Sequence, residues 1–205
     1  MKQLLLVLLF FAGTLLADNT PKCQEFNTTQ LKEYEGCLQK FAEQGDFSAT
    51  KQLANFYYAG PQSYKNYKKA VEWYMKVEAQ DAKSQYTIGQ IYTFGGYGIE
   101  KDYKQAAYWY EKSMSNGNLG GMVNMAYFYV QGWGVEQDCK KSLELYRQAA
   151  GKNFWPAQDS LGHLYFEGKC VTKDIEKAKY WIRKGLLNGN TNTWFWHKQN
   201  WGPIE

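Results

Sequence analysis

Few residues in this chain have the type and spacing that chemistry needs. Ser48-Ala49-Thr50-Lys51 has Ser-x-x-Lys spacing, which on a helix sets a lysine one turn from a serine nucleophile. Acyl transfer of the β-lactamase type also needs a Ser-Asp-Asn-like element and Lys-Thr-Gly, and neither Lys-Thr-Gly nor Lys-Ser-Gly occurs. His163 has Asp159 one helical turn before it, but a Ser-His-Asp set would need partners that the sequence does not identify. His197 stands in an aromatic tail with no evident partner. There is no Gly-Lys-Ser/Thr phosphate loop, and no Cys-x-x-Cys or His-x-x-x-His spacing for zinc. The expectation is a chain with no catalytic residues, no cofactor and no metal.

What must position these residues is a tandem repeat. Residues 118–152 hold Met125-Ala126, Tyr129, Gly132, Gly134, Val135, Asp138, Leu143, Leu145, Tyr146 and Ala149. The same order runs through Ile88, Gly89, Tyr92, Gly95, Gly98, Ile99, Asp102, Ala106, Trp109 and Tyr110. It returns in Leu161, Gly162, Tyr165, Gly168, Val171, Asp174, Ala178 and Trp181, and more faintly in Leu53, Ala54, Tyr57, Gly60, Ala70, Trp73 and Tyr74. The steps are 35, 37 and 36 residues (53 to 88, 88 to 125, 125 to 161). A period in that range predicts stacked helix pairs, an all-α solenoid, with repeats at about 46–80, 81–116, 117–152 and 153–189. Helix A of each pair should end in a left-handed cap at Gly60, Gly95, Gly132 or Gly168. Helix B should open on Asp102, Asp138 or Asp174, with Lys65-Asn66 in that place in the first unit.

Upstream, Asn27-Thr28-Thr29 offers caps for a helix to about Glu43, whose Leu31, Tyr34, Leu38 and Phe41 share one face. Residues 18–45 are thus expected to form an N-terminal cap. The 191–205 tail carries Trp194, Phe195, Trp196 and Trp201. Two readings stay open for it: a short cap over the last repeat, or an exposed aromatic anchor for a partner.

The repeat pattern resembles the Sel-one-like repeats, relatives of the tetratricopeptide repeats. The motif is Ala-x-x-x-Leu-Gly-x-x-Tyr-x-x-Gly-x-Gly-Val-x-x-Asp-x-x-Lys-Ala-x-x-Trp-Tyr-x-Lys-Ala, best matched from Tyr86 to Lys112. The departures are an extra residue at Gly96-Tyr97, the Pro61 turn, and Cys170 in place of a second glycine. The resemblance implies a right-handed α-solenoid that acts as an adaptor. It also implies, for exported bacterial members, roles in host interaction, envelope processes or neutralising secreted effectors. Cysteine-rich members of the family are linked to penicillin binding and weak β-lactamase activity, the alternative reading of Ser48 and Lys51.

Residues 1–17 read as a secretory signal peptide: Lys2, an apolar run from Leu4, and Ala17 before Asp18-Asn19-Thr20-Pro21. An uncleaved anchor is the alternative, because Leu15 departs from the usual small residue. Export, to the periplasm or beyond, makes the four cysteines disulfide candidates, with three possible pairings. In a stacked antiparallel array the start of one helix B lies beside the end of the next helix A. Cys139 should therefore pair with Cys170, leaving Cys23 for Cys37.

The net charge of +4 comes from lysines interleaved with acids, so neither a nucleic-acid stripe nor a basic patch is indicated. Helix A lines the concave side of such a solenoid. The expected partner face is Lys51, Asn55 and Tyr58; Tyr86, Gln90 and Thr93; Val123, Tyr127 and Val130; Asp159, His163 and Phe166. This mixture of aromatics and amides suits a protein or peptide better than a polyanion.

Overall fold

The structure, a computed structural model, describes residues 23, 30–77, 81–189, 199 and 201. The expected leader at 1–17, the capping candidates Asn27, Thr28 and Thr29, and Trp194, Phe195, Trp196 and His197 lie outside the described residues. The described chain is an α-solenoid. A first helix α1 (Leu31–Glu43) precedes four antiparallel pairs: α2 (Phe47–Ala59) with α3 (Tyr67–Lys76), α4 (Ala82–Phe94) with α5 (Tyr103–Ser115), α6 (Leu119–Gln131) with α7 (Cys139–Gly151), and α8 (Trp155–Glu167) with α9 (Ile175–Leu187). Among the described residues there is no strand, and no helix is long and apolar enough to cross a membrane.

Local chemistry explains each boundary. Asp102, Asp138 and Asp174 cap the second helices through backbone N–H groups of Gln105, Lys141 and Lys177, and Asn66 does the same through Lys69. Those backbone bonds are the chief reason that Asp138 and Asp174 sit below the usual carboxylate range. In all four repeats the capping residue also donates its own N–H to the carbonyl of the helix A tyrosine: Asn66 to Tyr57, Asp102 to Tyr92, Asp138 to Tyr129 and Asp174 to Tyr165. One bond therefore fixes where helix B starts, even in the second repeat, whose turn is longer by a residue.

Two expected caps need correction. Gly132 and Gly168 are left-handed, and Gly95 has positive φ, but Gly60 is extended (φ −68°, ψ −171°). Pro61 follows it, and the residue before a proline is pushed out of helical geometry. Helix α1 begins at Leu31 after Gln30, which makes no side-chain capping bond.

The core runs between the helix pairs. The small residue of helix A admits the partner helix: a Cβ at Gly89 would lie 2.6 Å from the Tyr110 ring, and one at Gly162 2.5 Å from Ile182. Tyr74, Tyr110 and Tyr146 fill equivalent buried positions on the second helices. Their hydroxyls still find partners: Tyr74 donates to Asn55 (2.6 Å) and Tyr110 pairs with Thr93 (2.9 Å). Burial pushes the Tyr110 phenol from 10.0 up to about 12, and raises Tyr74 and Tyr146 as well. Because the folded state holds these phenols neutral, their contribution is complete below pH 10 and is lost as pH rises toward 12. Urea midpoints should therefore fall from about pH 10 upward, and Tyr110→Phe should flatten that fall.

Successive repeats are tied by a recurring contact. The turn of each repeat reaches back to the first residue of the preceding helix B. Tyr97 packs on Tyr67 (ring centroids 4.8 Å), and its carbonyl accepts the Tyr67 N–H. Trp133 stacks on Tyr103 (4.5 Å, 11° between planes). Cys170 is bonded to Cys139, with their Cα atoms 5.1 Å apart. At the other end Cys23 is bonded to Cys37 on α1.

Charge is segregated in a way that the interleaved sequence hides. The second helices α3, α5, α7 and α9 carry twelve lysines and arginines against four glutamates. The first helices α2, α4, α6 and α8 carry only Lys51 and Lys83 against Asp159 and Glu167. Several of the outer lysines lie over aromatic rings, as Lys76 does over Trp73 (3.8 Å) and Lys112 over Tyr108 (4.7 Å). Such pairing shields half-exposed rings while the ammonium stays wet.

Candidate functional site

The first helices of successive repeats touch one another, α4 with α6 and α6 with α8, and their outward residues form the candidate groove. The twelve expected residues divide by environment. Asn55 and Tyr127 are exposed, and Tyr58, Tyr86, Gln90, Val123 and His163 are half-buried along the groove. Thr93 and Val130 are corrections: they are only 8% and 2% exposed. Thr93 is turned onto Tyr110 of its own repeat, which its hydroxyl meets at 2.9 Å, and not toward solvent. Val130 is buried in one cluster with Leu161 and Leu164 of the next repeat. Lys51 is half-buried and committed to Asp81 at 2.8 Å, a tie between the first two repeats. Burial raises the Asp81 carboxyl, but the bonds from Lys51 and Ser84 outweigh it and leave the net shift downward. Phe166 lies against Trp201 (5.8 Å).

One part of the groove is a depression of about 220 Å³ between α6 and α8. Its walls include Tyr127, Gln131, Asp159, His163, Glu167 and Lys169. Spacing on α6 and α8 brings Tyr127, Asp159 and His163 together as expected, with Val130 in the lining. Glu167, Lys169 and Gln131 were not among the sequence candidates. They sit at the end of helix A and in the turn, where the repeat pattern gives no register signal. His163 Nε2 lies 3.7 Å from Asp159 Oδ2, and Lys169 donates to Gln131 (3.1 Å).

The depression also contains Ser160, so a serine, a histidine and an aspartate meet here. Their geometry is not that of a triad. The Ser160 hydroxyl donates to the Pro156 carbonyl (2.8 Å), one turn back on its own helix, so its proton is not offered to His163. In the Ser48-Lys51 pair the lysine is directed away from the serine to Asp81 (2.8 Å), while Ser48 Oγ accepts from Gln52 (3.0 Å). Among the described residues no cluster of three or more His, Cys, Asp or Glu could hold a metal. Small-molecule sites usually enclose about 300–1,000 Å³. This depression is smaller than that, and open.

The model of the Sel1 repeat matches residues 48–76, 82–118, 120–154 and 155–190, each a helix pair of the solenoid. The chain belongs to the Sel1 repeat family. Similar solved structures include a Sel1 repeat protein from Oxalobacter formigenes, at 30% identity over 80% of this chain and 68% of that one (TM-score 0.69). Another is c5321, a protective antigen present in uropathogenic Escherichia coli strains and displaying an SLR fold. It is 29% identical over 82% of this chain but only 37% of its own length (TM-score 0.66). A Sel1 repeat protein from Klebsiella pneumoniae subsp. pneumoniae matches at 26% identity over 83% of this chain and 85% of that one (TM-score 0.58). No curated protein matches the chain. Sel1 repeat proteins are generally scaffolds for protein interactions, and the fold is typically non-catalytic. The near-neutral groove of this Sel1 repeat chain, set against its basic outer helices, agrees with that use.

Proposed function

We propose that this Sel1 repeat chain is an exported, non-catalytic scaffold that binds a protein or peptide on its concave face. The observation that carries the reading is the groove itself. It presents Asn55, Gln90, Tyr127 and His163 on a surface almost without net charge, with a depression of about 220 Å³ sized for side chains. A polyanion would be drawn to the lysine-rich second helices instead. Amides and a half-exposed tyrosine on rigid helices are the pieces with which interfaces bind polypeptide segments. Export is supported by the leader pattern and by two disulfides, which persist outside the reducing cytosol. It also agrees with the likeness to a protective antigen. A host factor or a secreted effector would fit such a location.

The test uses the purified chain as bait against envelope and culture-medium extracts. A Gln90→Ala/Tyr127→Ala/His163→Ala chain should capture the specific partner at least tenfold less than wild type, since a central aromatic anchor is commonly worth about 2 kcal/mol. A Tyr108→Ala/Tyr180→Ala chain, altered on the second helices, should capture it normally. Equal capture by the groove variant and wild type would place the partner elsewhere.

A further inference from the structure

Phe166 differs from its counterparts in the second and third repeats, whereas Tyr58, its counterpart in the first, is half-buried as Phe166 is. Phe166 stands five residues after the helix A leucine, as Val130 stands five after Met125 and Thr93 five after Ile88. Val130 and Thr93 are buried, and Val130 is covered by Leu161 and Leu164 of the following repeat. Phe166 belongs to the fourth repeat, and among the described residues no helix A follows it. Trp201 takes that place: it is half-buried and meets the Phe166 ring edge-on, with centroids 5.8 Å apart and planes at 69°. Lys173 closes over the same ring at 5.4 Å. Gln199 and Trp201 are both helical, so the residue that covers Phe166 is itself in helical conformation.

We infer that the open end of the fourth repeat, centred on Phe166, is a docking surface for a tryptophan-bearing helical segment, and that the chain's own C-terminal residues are its occupant through Trp201. The exposed end of the fourth repeat is thus covered by a side chain from outside the four repeats. Phe166 therefore leaves the set that faces a partner in the groove. The inference does not depend on the concave face binding anything.

The experiment uses the full chain and a fluorophore-labelled peptide, TNTWFWHKQNWGPIE, which copies residues 191–205. In wild type the tethered tail should outcompete the peptide. A Trp201→Ala chain should bind it at least tenfold more tightly than wild type, by fluorescence anisotropy. Adding Phe166→Ala should abolish that binding, and so should replacing the peptide's third tryptophan by alanine. Equal binding to wild type and to Trp201→Ala, no binding to either, or binding that survives Phe166→Ala would each overturn the assignment. A second measurement does not need the Trp201 variant. Tryptic cleavage after Lys198, followed by mass spectrometry, should be at least tenfold faster in Phe166→Ala than in wild type, and an unchanged rate would overturn it. A concentration-dependent dimer that Trp201→Ala abolishes would put the tail on a second copy, and so would refute its docking within one chain.

Discussion

Replacing Gly134 with alanine is expected to destabilise the solenoid by about 3 kcal/mol, among the largest effects of any single methyl group in this chain. Two independent costs add. Gly134 has φ +69°, where a Cβ meets its own backbone and costs about 1–2 kcal/mol. The same Cβ would lie 2.1 Å from the Tyr103 carbonyl oxygen and 2.4 Å from its carbon. Those are backbone atoms of α5 and cannot swing aside as a side chain would. Relief requires the turn to lift, and the Trp133–Tyr103 stack would go with it. Overpacking of this kind costs about 1–3 kcal/mol. Gly36→Ala is the matching control: it lies within α1, with nothing within 4 Å of the added atom. It should stabilise by about 0.5–1 kcal/mol, because alanine is the better helix former. Urea midpoints at constant slope measure both. A Gly134→Ala chain as stable as wild type would mean that the turn is not held against α5.

Removing the Cys139–Cys170 bond by a Cys139→Ser/Cys170→Ser substitution should cost about 3–4 kcal/mol, the chain-entropy value for a loop of this size. The cysteines are 31 residues apart, against 14 for Cys23 and Cys37, so the second pair, replaced in the same way, should cost slightly less. The locations separate them further. Cys139–Cys170 joins the third repeat to the fourth, whereas Cys23–Cys37 holds only the segment before the first helix. Loss of the former should broaden the unfolding transition, as the last repeat opens before the rest. Loss of the latter should shift the midpoint and leave the transition sharp. Denaturation of oxidised and doubly substituted chains, followed by circular dichroism, distinguishes the two.

Much of this architecture was legible because the repeat tests itself four times. The aspartate caps and the small-residue approaches of Gly89 and Gly162 recur at one spacing, so chance could not supply them. The reading failed where local chemistry overrides the period. Pro61 forces Gly60 out of the left-handed region, which a pattern of glycines does not reveal. Thr93 and Val130 share a helical position with Tyr58 and Phe166, yet the first is buried on Tyr110 and the second against the next repeat, and helical spacing alone cannot tell groove from seam. Linear spacing also hid the charge segregation. Lysines that alternate with acids along the chain fall on the second helices, because the first helices are buried on more sides and tolerate few charges.

The backward ties from each turn have a practical consequence. Tyr97 on Tyr67, Trp133 on Tyr103 and Cys170 on Cys139 serve one geometric purpose with three different kinds of chemistry. Each boundary between repeats therefore carries its own reporter. The difference in phenol absorbance between wild type and Tyr97→Phe would follow the first, indole emission in a chain whose other tryptophans are replaced would follow the second, and thiol trapping under mild reductant would follow the third. The order in which the repeats part company could then be read from side chains already at the boundaries, without inserting a probe.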